Sequence, residues 1–234
     1  MYVLHYAPDN ASGIIRLALE ELGLPYRAAL VDRAARAQHG PAYRAINPLG
    51  QIPVLETAEG PVFETAAILL WLSEVHGGLA PAPGAPGRGR YLTWLFYLSN
   101  TVHADLLRLF YPQRYVAPAE IAGHHTRMAD RIAGHFGQLD RVAAAGDGAV
   151  YRLVGAGSAP GLIDIYTVFL MRWSVLYPYD GPRWFDAARF AHLQQVARLL
   201  ERRPSARAVA AAEGLGPEPF SAPRYPEPPE GSAT

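Results

Sequence analysis

The chain has 234 residues, half of them hydrophobic and 18% charged, which is enough for one large domain or two modest ones and excludes a disordered or collagen-like chain. Its 21 basic residues balance 21 acidic ones and form no clustered basic patch, which argues against a nucleic-acid partner. Cysteine and lysine are both absent, so disulfides, thiolate metal sites, a protein thiol nucleophile and Schiff-base chemistry are excluded, and any thiol chemistry must use a thiol from elsewhere.

Tyr2 to Tyr6 is apolar or aromatic without polar alternation, as expected of a strand covered on both faces. Pro8-Asp9-Asn10 ends it. Ser12 is placed to cap a helix whose apolar face is Ile14, Ile15, Leu17, Ala18 and Leu22, with Gly23 as its stop. Tyr26 to Val31 is expected to form a second strand, Ala34 to Ile46 an irregular helical crossover, and Ile52 to Glu56 a third strand. The turn Glu59-Gly60-Pro61 then leads to a short fourth strand at Val62-Phe63, and Thr65 to His76 reads as a helix closed by Gly77-Gly78. Residues 1–78 are thus an α/β domain.

Three prolines and three glycines in Leu79 to Gly89 mark a linker. Beyond it strand signals vanish: Arg90 to Tyr111, Ala119 to Ala145, Gly161 to Tyr177, Asp186 to Arg202 and Ser205 to Glu213 read as helices, making 90–216 an all-α domain. The tail from Pro217 to Thr234, with six prolines, is expected to be extended or disordered. Met1 to Asn10 lacks the features of a secretory signal, and the longest apolar run, Ala66 to Leu72, is far short of the ~20 residues of a membrane span, so a cytoplasmic protein with no membrane partner is expected.

Two stretches carry chemistry. In Asn47-Pro48-Leu49-Gly50-Gln51-Ile52-Pro53-Val54-Leu55 a turn runs into a proline that cannot donate to a central ladder. Either Pro53 is cis, turning the Ile52 backbone outward to pair with an extended peptide, or it is a trans proline opening an edge strand. In Glu64-Thr65-Ala66-Ala67-Ile68 the free amides of a helix start suit a carboxylate and the Glu64 side chain suits an ammonium, the two ends of an α-amino acid; on its own the motif is also an ordinary helix cap.

Together with Tyr6-Ala7-Pro8 and Leu17-Ala18-Leu19-Glu20-Glu21-Leu22-Gly23-Leu24-Pro25-Tyr26, these segments resemble the glutathione transferase superfamily, of the bacterial cytosolic type. The resemblance implies a thioredoxin-like N-terminal domain that binds glutathione, an all-helical C-terminal domain that supplies the pocket for a small electrophile, and a homodimer. It implies that Gln51, Ile52 and Pro53 meet the cysteinyl part of glutathione, Glu64 and Thr65 the γ-glutamyl end, and Gln38 and His39 the glycyl carboxylate. His103 matches a second-domain histidine that points at the sulfur, and the surroundings of Tyr97, Arg108, Tyr111, Gln113, Arg114 and Tyr115 suit a cleft facing it.

The expected activity is transfer, with the glutathione thiolate stabilised by a donor at the sulfur and a helix N-terminus behind it. Ser12 is the first candidate for that donor and Asn10 the second, Ser12 also serving as a plain helix cap. Here the chain departs from its relatives: the beta class carries a cysteine where this chain has Ala11, and delta and theta-like classes a serine where it has Asn10. Those departures leave a non-catalytic ligand- or protein-binding role open, and the second substrate leaves open a glutathione-dependent isomerase or peroxidase. Asp164 in Gly161-Leu162-Ile163-Asp164 reads as a folding determinant. The glycine-rich run Gly155 to Gly161 lacks the third glycine of a dinucleotide loop, and the adjacent His124 and His125 have poor metal-ligand spacing, so no nucleotide and no metal are expected.

Overall fold

The computed structural model describes residues 1–155, 159–179 and 181–233. Strands β1 (Tyr2–Tyr6), β2 (Tyr26–Leu30), β3 (Val54–Thr57) and β4 (Gly60–Phe63) form one mixed sheet in the order β2-β1-β3-β4. β1 pairs with β2 in parallel, Tyr2 opposite Tyr26, because helix α1 (Ser12–Glu21) supplies the crossover that parallel strands require. β3 pairs antiparallel with both β1 and β4, the latter through the tight Thr57–Gly60 turn.

The β2-to-β3 connection is irregular, a 3₁₀ turn at Ala37–His39 followed by the one-turn helix α2 (Pro41–Arg44). Val31, Tyr43 and Val54 form a small separate core beneath it, against which Ile46, Ile52 and Phe63 pack. α3 (Thr65–His76) closes the thioredoxin-like unit. The ladder begins at Val54 and not at Ile52, because Pro53 before it lacks an amide hydrogen.

Among the described residues every remaining regular element is helical: α4 (Arg88–Tyr97), α5 (Ala104–Phe110), α6 (Ile121–Ala144), α7 (Leu162–Leu176), α8 (Ala191–Glu201) and α9 (Pro204–Glu213). The single helix expected over 90–111 is interrupted, six residues, Leu98–His103, being wound as a π-helix between α4 and α5. The helix expected from Asp186 is a 3₁₀ turn (Ala187–Arg189) before α8 begins, the Asp186 carboxylate accepting from the Ala188 N–H at 2.9 Å. α7 is the axis of the helical half, with all its residues but Val175 buried, and it touches α1, α4 and α8. A close approach makes the α1–α7 junction possible: a Cβ on Gly13 would lie 2.7 Å from the Phe169 ring.

Asp164 acts within the fold, as its sequence suggests. Its carboxylate accepts from the backbone N–H groups of Gly161 at 2.8 Å, Arg152 at 3.0 Å and Leu153 at 3.3 Å, tying the start of α7 to the turn before it. Burial pushes its pKa up to about 6 against the pull of those amides. The glycine-rich run falls partly outside the described residues, at 156–158.

Of the two states expected for the tail, extended or disordered, it is the extended one as far as Ala233. Phe220 is buried, edge-on to Phe169 at 5.1 Å between ring centres. Farther along, the Tyr225 hydroxyl donates to the carbonyls of Leu176 (2.7 Å) and Tyr179 (2.9 Å), Glu230 accepts from the Tyr6 hydroxyl, and the Ala233 carbonyl accepts from Arg33. Its prolines keep the strap extended, while a few aromatic and polar anchors bind it to both halves of the molecule. Among the described residues no helix is long and apolar enough to cross a membrane.

Candidate functional site

A cavity of about 1240 Å³ lies where the carboxyl end of β1, the start of α3 and the π-helical segment meet. Its floor comes from the thioredoxin-like unit: Asp9, Asn10 and Ala11 from the loop after β1, Gln38 and His39, Asn47, Leu49 to Pro53, and Glu64 to Ala67. The helical half supplies the facing wall, including Asn100, His103, Tyr111 and Trp173. Of the site residues named from sequence, Asn10, Gln38, His39, Gln51, Ile52, Pro53, Glu64, Thr65, His103 and Tyr111 all border this space.

The loop before β3 is pinned. The Gln51 carbonyl accepts from the Tyr43 hydroxyl and from Asn47 Nδ2, each at 2.8 Å, and Asn47 Oδ1 accepts from the Leu49 N–H at 3.0 Å. In a trans peptide the C=O and following N–H point opposite ways, so the Ile52 N–H faces away from Tyr43 and Asn47. Ile52 lies outside the strand ladders, and the bond between it and Pro53 is cis.

Glu64 has φ 71° and ψ 117°, a region that side-chain-bearing residues rarely adopt. Such strain persists only where its surroundings impose it, and it concentrates at functional sites. Here it turns the chain sharply from β4 into α3, with the Glu64 side chain exposed and Thr65 buried at the helix start. The first-turn amides of α3 are left without helical partners at the cavity edge.

Ser12 is the sequence-based candidate that the structure moves away from the cavity. It is fully buried and absent from the lining; its hydroxyl donates to the Ala7 carbonyl at 3.1 Å and accepts from the Ala7 N–H at 3.3 Å. Nor does it cap α1, whose N-cap residue is Ala11. Asn10 lines the cavity instead. Its Oδ1 accepts from the Ala11 N–H at 2.8 Å, which leaves the amide NH₂ as a donor. Tyr6, the nearby phenol on β1, points elsewhere, with Arg16 4.3 Å over its ring and Glu230 on its hydroxyl.

Asp9 sets this loop. With φ 48°, it turns its carboxylate into the molecule to accept from Arg172, Trp173 Nε1 (2.9 Å) and the Tyr177 hydroxyl (2.9 Å). The Asp9 N–H donates to Glu213 at 3.0 Å. The loop that presents Asn10 is therefore fixed by α7 and α9, both remote in sequence.

On the helical side, His103 Nδ1 is 2.9 Å from the Tyr166 hydroxyl, and its ring lies against Trp173. Burial lowers the His103 pKa to about 4, so its imidazole is neutral at pH 7. Burial likewise raises that of Tyr166, which sits beside Thr65 and keeps its proton. The chain Thr65–Tyr166–His103 joins the two halves across the cavity. Of the cleft residues named around position 110, Tyr111, Arg114 and Tyr115 line the cavity, whereas Tyr97 bonds to His135, Arg108 to Asp105, and Gln113 is not in the lining. Arg33 and Tyr166 were not foreseen, since nothing in Val31-Asp32-Arg33-Ala34 sets that arginine apart from Arg36. Among the described residues no group of three or more His, Asp or Glu is placed to hold a metal ion.

Residues 12–75 match the family described as glutathione S-transferase, N-terminal domain. A sphingomonad glutathione S-transferase, solved in complex with glutathione, is 30% identical, with a TM-score of 0.74 over 92% of this chain and 100% of that one. Glutathione S-transferase F10 of Arabidopsis thaliana is 32% identical over 113 residues, 47% of this chain and 53% of that protein. Probable elongation factor 1-gamma 1 of the same plant is 36% identical over 128 residues, half of this chain and only 30% of that protein. The alignments with these two plant relatives thus span well under two thirds of their length. With a thioredoxin-like sheet, a helical half and a full-length structural match at that identity, the chain belongs to the glutathione S-transferase family.

Proposed function

We propose that this protein binds glutathione along Gln51, Ile52 and Pro53, with the γ-glutamyl end at Glu64 and Thr65 and the glycyl carboxylate near Gln38 and His39, and transfers it as a thiolate to a small electrophile, acting as a homodimer. One observation carries the reading: an unpaired backbone position at Ile52 and the start of α3 border the same cavity as the loop that begins α1. A peptide amide, an amino-acid head and an anionic sulfur thus each meet their chemical complement.

In this reading the sulfur donor is Asn10, through its side-chain NH₂, with the positive end of α1 behind it. His103 faces the sulfur from the opposite wall: Tyr166 donates to Nδ1, so the neutral ring presents Nε2–H. Both donors favour the thiolate over the thiol. Holding nucleophile and electrophile together then supplies most of the rate.

Titration of the thiolate absorbance of bound glutathione tests this. The bound thiol should ionise below ~8.5, the ordinary cysteine value. Asn10→Ala should move it back toward that value, while Ser12→Ala should lower stability and leave the bound thiol's titration as in the wild type. A thiol that titrates as it does in free solution would defeat the catalytic reading and leave a ligand-binding protein.

A further inference from the structure

The inner part of the cavity is accounted for by glutathione; its rim has a chemistry of its own. Arg33, which follows β2, donates through Nη2 to the Tyr111 hydroxyl at 3.2 Å, and the guanidinium of Arg114 lies 4.3 Å over the face of the same ring. Two cations from opposite halves of the molecule thus converge on one phenol, and all three residues border the cavity. Neither arginine takes part in an ion pair among the described residues. The oxygens that Arg33 does meet, the Tyr111 hydroxyl and the Ala233 carbonyl, are both neutral.

The other charged groups at the cavity do not cancel this pair. Asp9 is neutralised by Arg172, His103 is uncharged at pH 7, and Glu64 lies at the start of α3 beside Tyr166. Two guanidiniums with no ion-pair partner among the described residues repel each other around one ring, a cost that an anion between them reverses. Around them Phe96, Leu107, Phe110 and Tyr115 give the rim broad apolar faces.

We propose that the electrophile of this enzyme is a planar, unsaturated or aromatic carboxylate, its ring held by the apolar rim and its carboxylate by Arg33 and Arg114. The proposal rests on the glutathione reading above. It makes the two arginines specificity residues, with no part in the bond exchange. For an aryl chloride, the glutathione sulfur bonds to the ring carbon, chloride leaves with the C–Cl electron pair, and the thiol proton passes to solvent.

The test compares two probes, a chloronitrobenzoate with chlorine para to the acid and its neutral benzamide counterpart, each rate divided by the uncatalysed rate with glutathione. The wild type should favour the acid in kcat/KM by about tenfold or more, as hydrogen bonds to a charged group warrant, and the preference should shrink with added salt. Arg33→Gln and Arg114→Gln should each remove most of the preference, whereas Arg27→Gln, on the exposed side of β2, should keep it.

Equal rates for the two probes in the wild type overturn the proposal. So does an arginine variant that raises the KM for glutathione and slows both probes alike, because that guanidinium would then be holding the glycyl carboxylate. Turnover of neither probe with a normally lowered glutathione thiol overturns the substrate class alone. Turnover of neither with an unperturbed thiol overturns the catalytic reading beneath it.

Discussion

Arg172 grips Asp9 through two hydrogen bonds, Nε to Oδ1 at 2.8 Å and Nη2 to Oδ2 at 3.0 Å, with both side chains wholly buried. Two further Arg172 donors reach the Pro219 and Arg224 carbonyls, each at 2.9 Å, so one guanidinium joins the β1 loop, α7 and the tail.

Breaking that pair from one side leaves a buried charge without its counterion. Asp9→Ala should therefore cost about 3–5 kcal/mol in urea denaturation, and Arg172→Leu a similar amount. The double variant should lose clearly less than the sum, since neither lone charge then remains. Additive losses would show that the two residues act separately.

Gly50 has φ +63°, and a Cβ there would lie 2.8 Å from the Gln38 carbonyl oxygen. Gly50→Ala should cost about 1–2 kcal/mol from the left-handed backbone alone. The clash should also push Gln38 and His39 away from the loop at Gln51 and raise the KM for glutathione several-fold. Gly23 has the same φ with open space around it. Gly23→Ala is the matched control: similar destabilisation, with the KM held.

Glu213, fully buried, and His103, partly exposed in the cavity wall, should tilt the pH dependence of stability in opposite directions. Burial, opposed by Arg16 and by the Asp9 N–H, pushes the Glu213 carboxyl from 4.5 up to about 7. The native state then holds a proton that the unfolded chain releases. Stability from this group is complete below about pH 4.5 and is lost as pH rises through about 7. His103 runs the other way, falling from 6.5 to about 4 through burial, so its contribution is complete above 6.5 and is lost as pH drops through about 4. The slopes oppose each other between those limits, and each emerges as a difference from the wild type. Glu213→Gln should flatten the decline toward neutral pH, and His103→Gln the decline toward acid. A Glu213→Gln curve parallel to wild type from pH 4 to 8 would sink the Glu213 assignment.

What could be read from sequence follows how far each determinant lies along the chain. β1, the Gly23 stop, the span of α3 and the cavity positions of Ile52, Glu64 and Thr65 depend on neighbours within a few residues: a proline, a turn, a helix start. The fate of Ser12 does not. Its hydroxyl turns back to Ala7 because Asp9 is drawn inward by Arg172, Trp173 and Tyr177, more than 160 positions away. The π-helical break before His103 lies inside a stretch whose apolar spacing also suits a plain helix. For the tail, a proline count suggested looseness, yet Phe220 and Tyr225 anchor it through contacts that composition does not encode. Arg33 needed the three-dimensional meeting with Tyr111 to stand out from the other arginines.

The strap has a practical consequence for handling the protein. Ala233 lines the cavity and its carbonyl rests on Arg33, so a bulky group introduced at that position would sit at the mouth of the cavity. An affinity tag or surface tether attached there would crowd the opening and compete for the same guanidinium. Met1 is 90% exposed and lies at the other end of β1, roughly 16 Å of strand away from the loop that carries Asn10. Immobilisation through that end leaves the entrance clear.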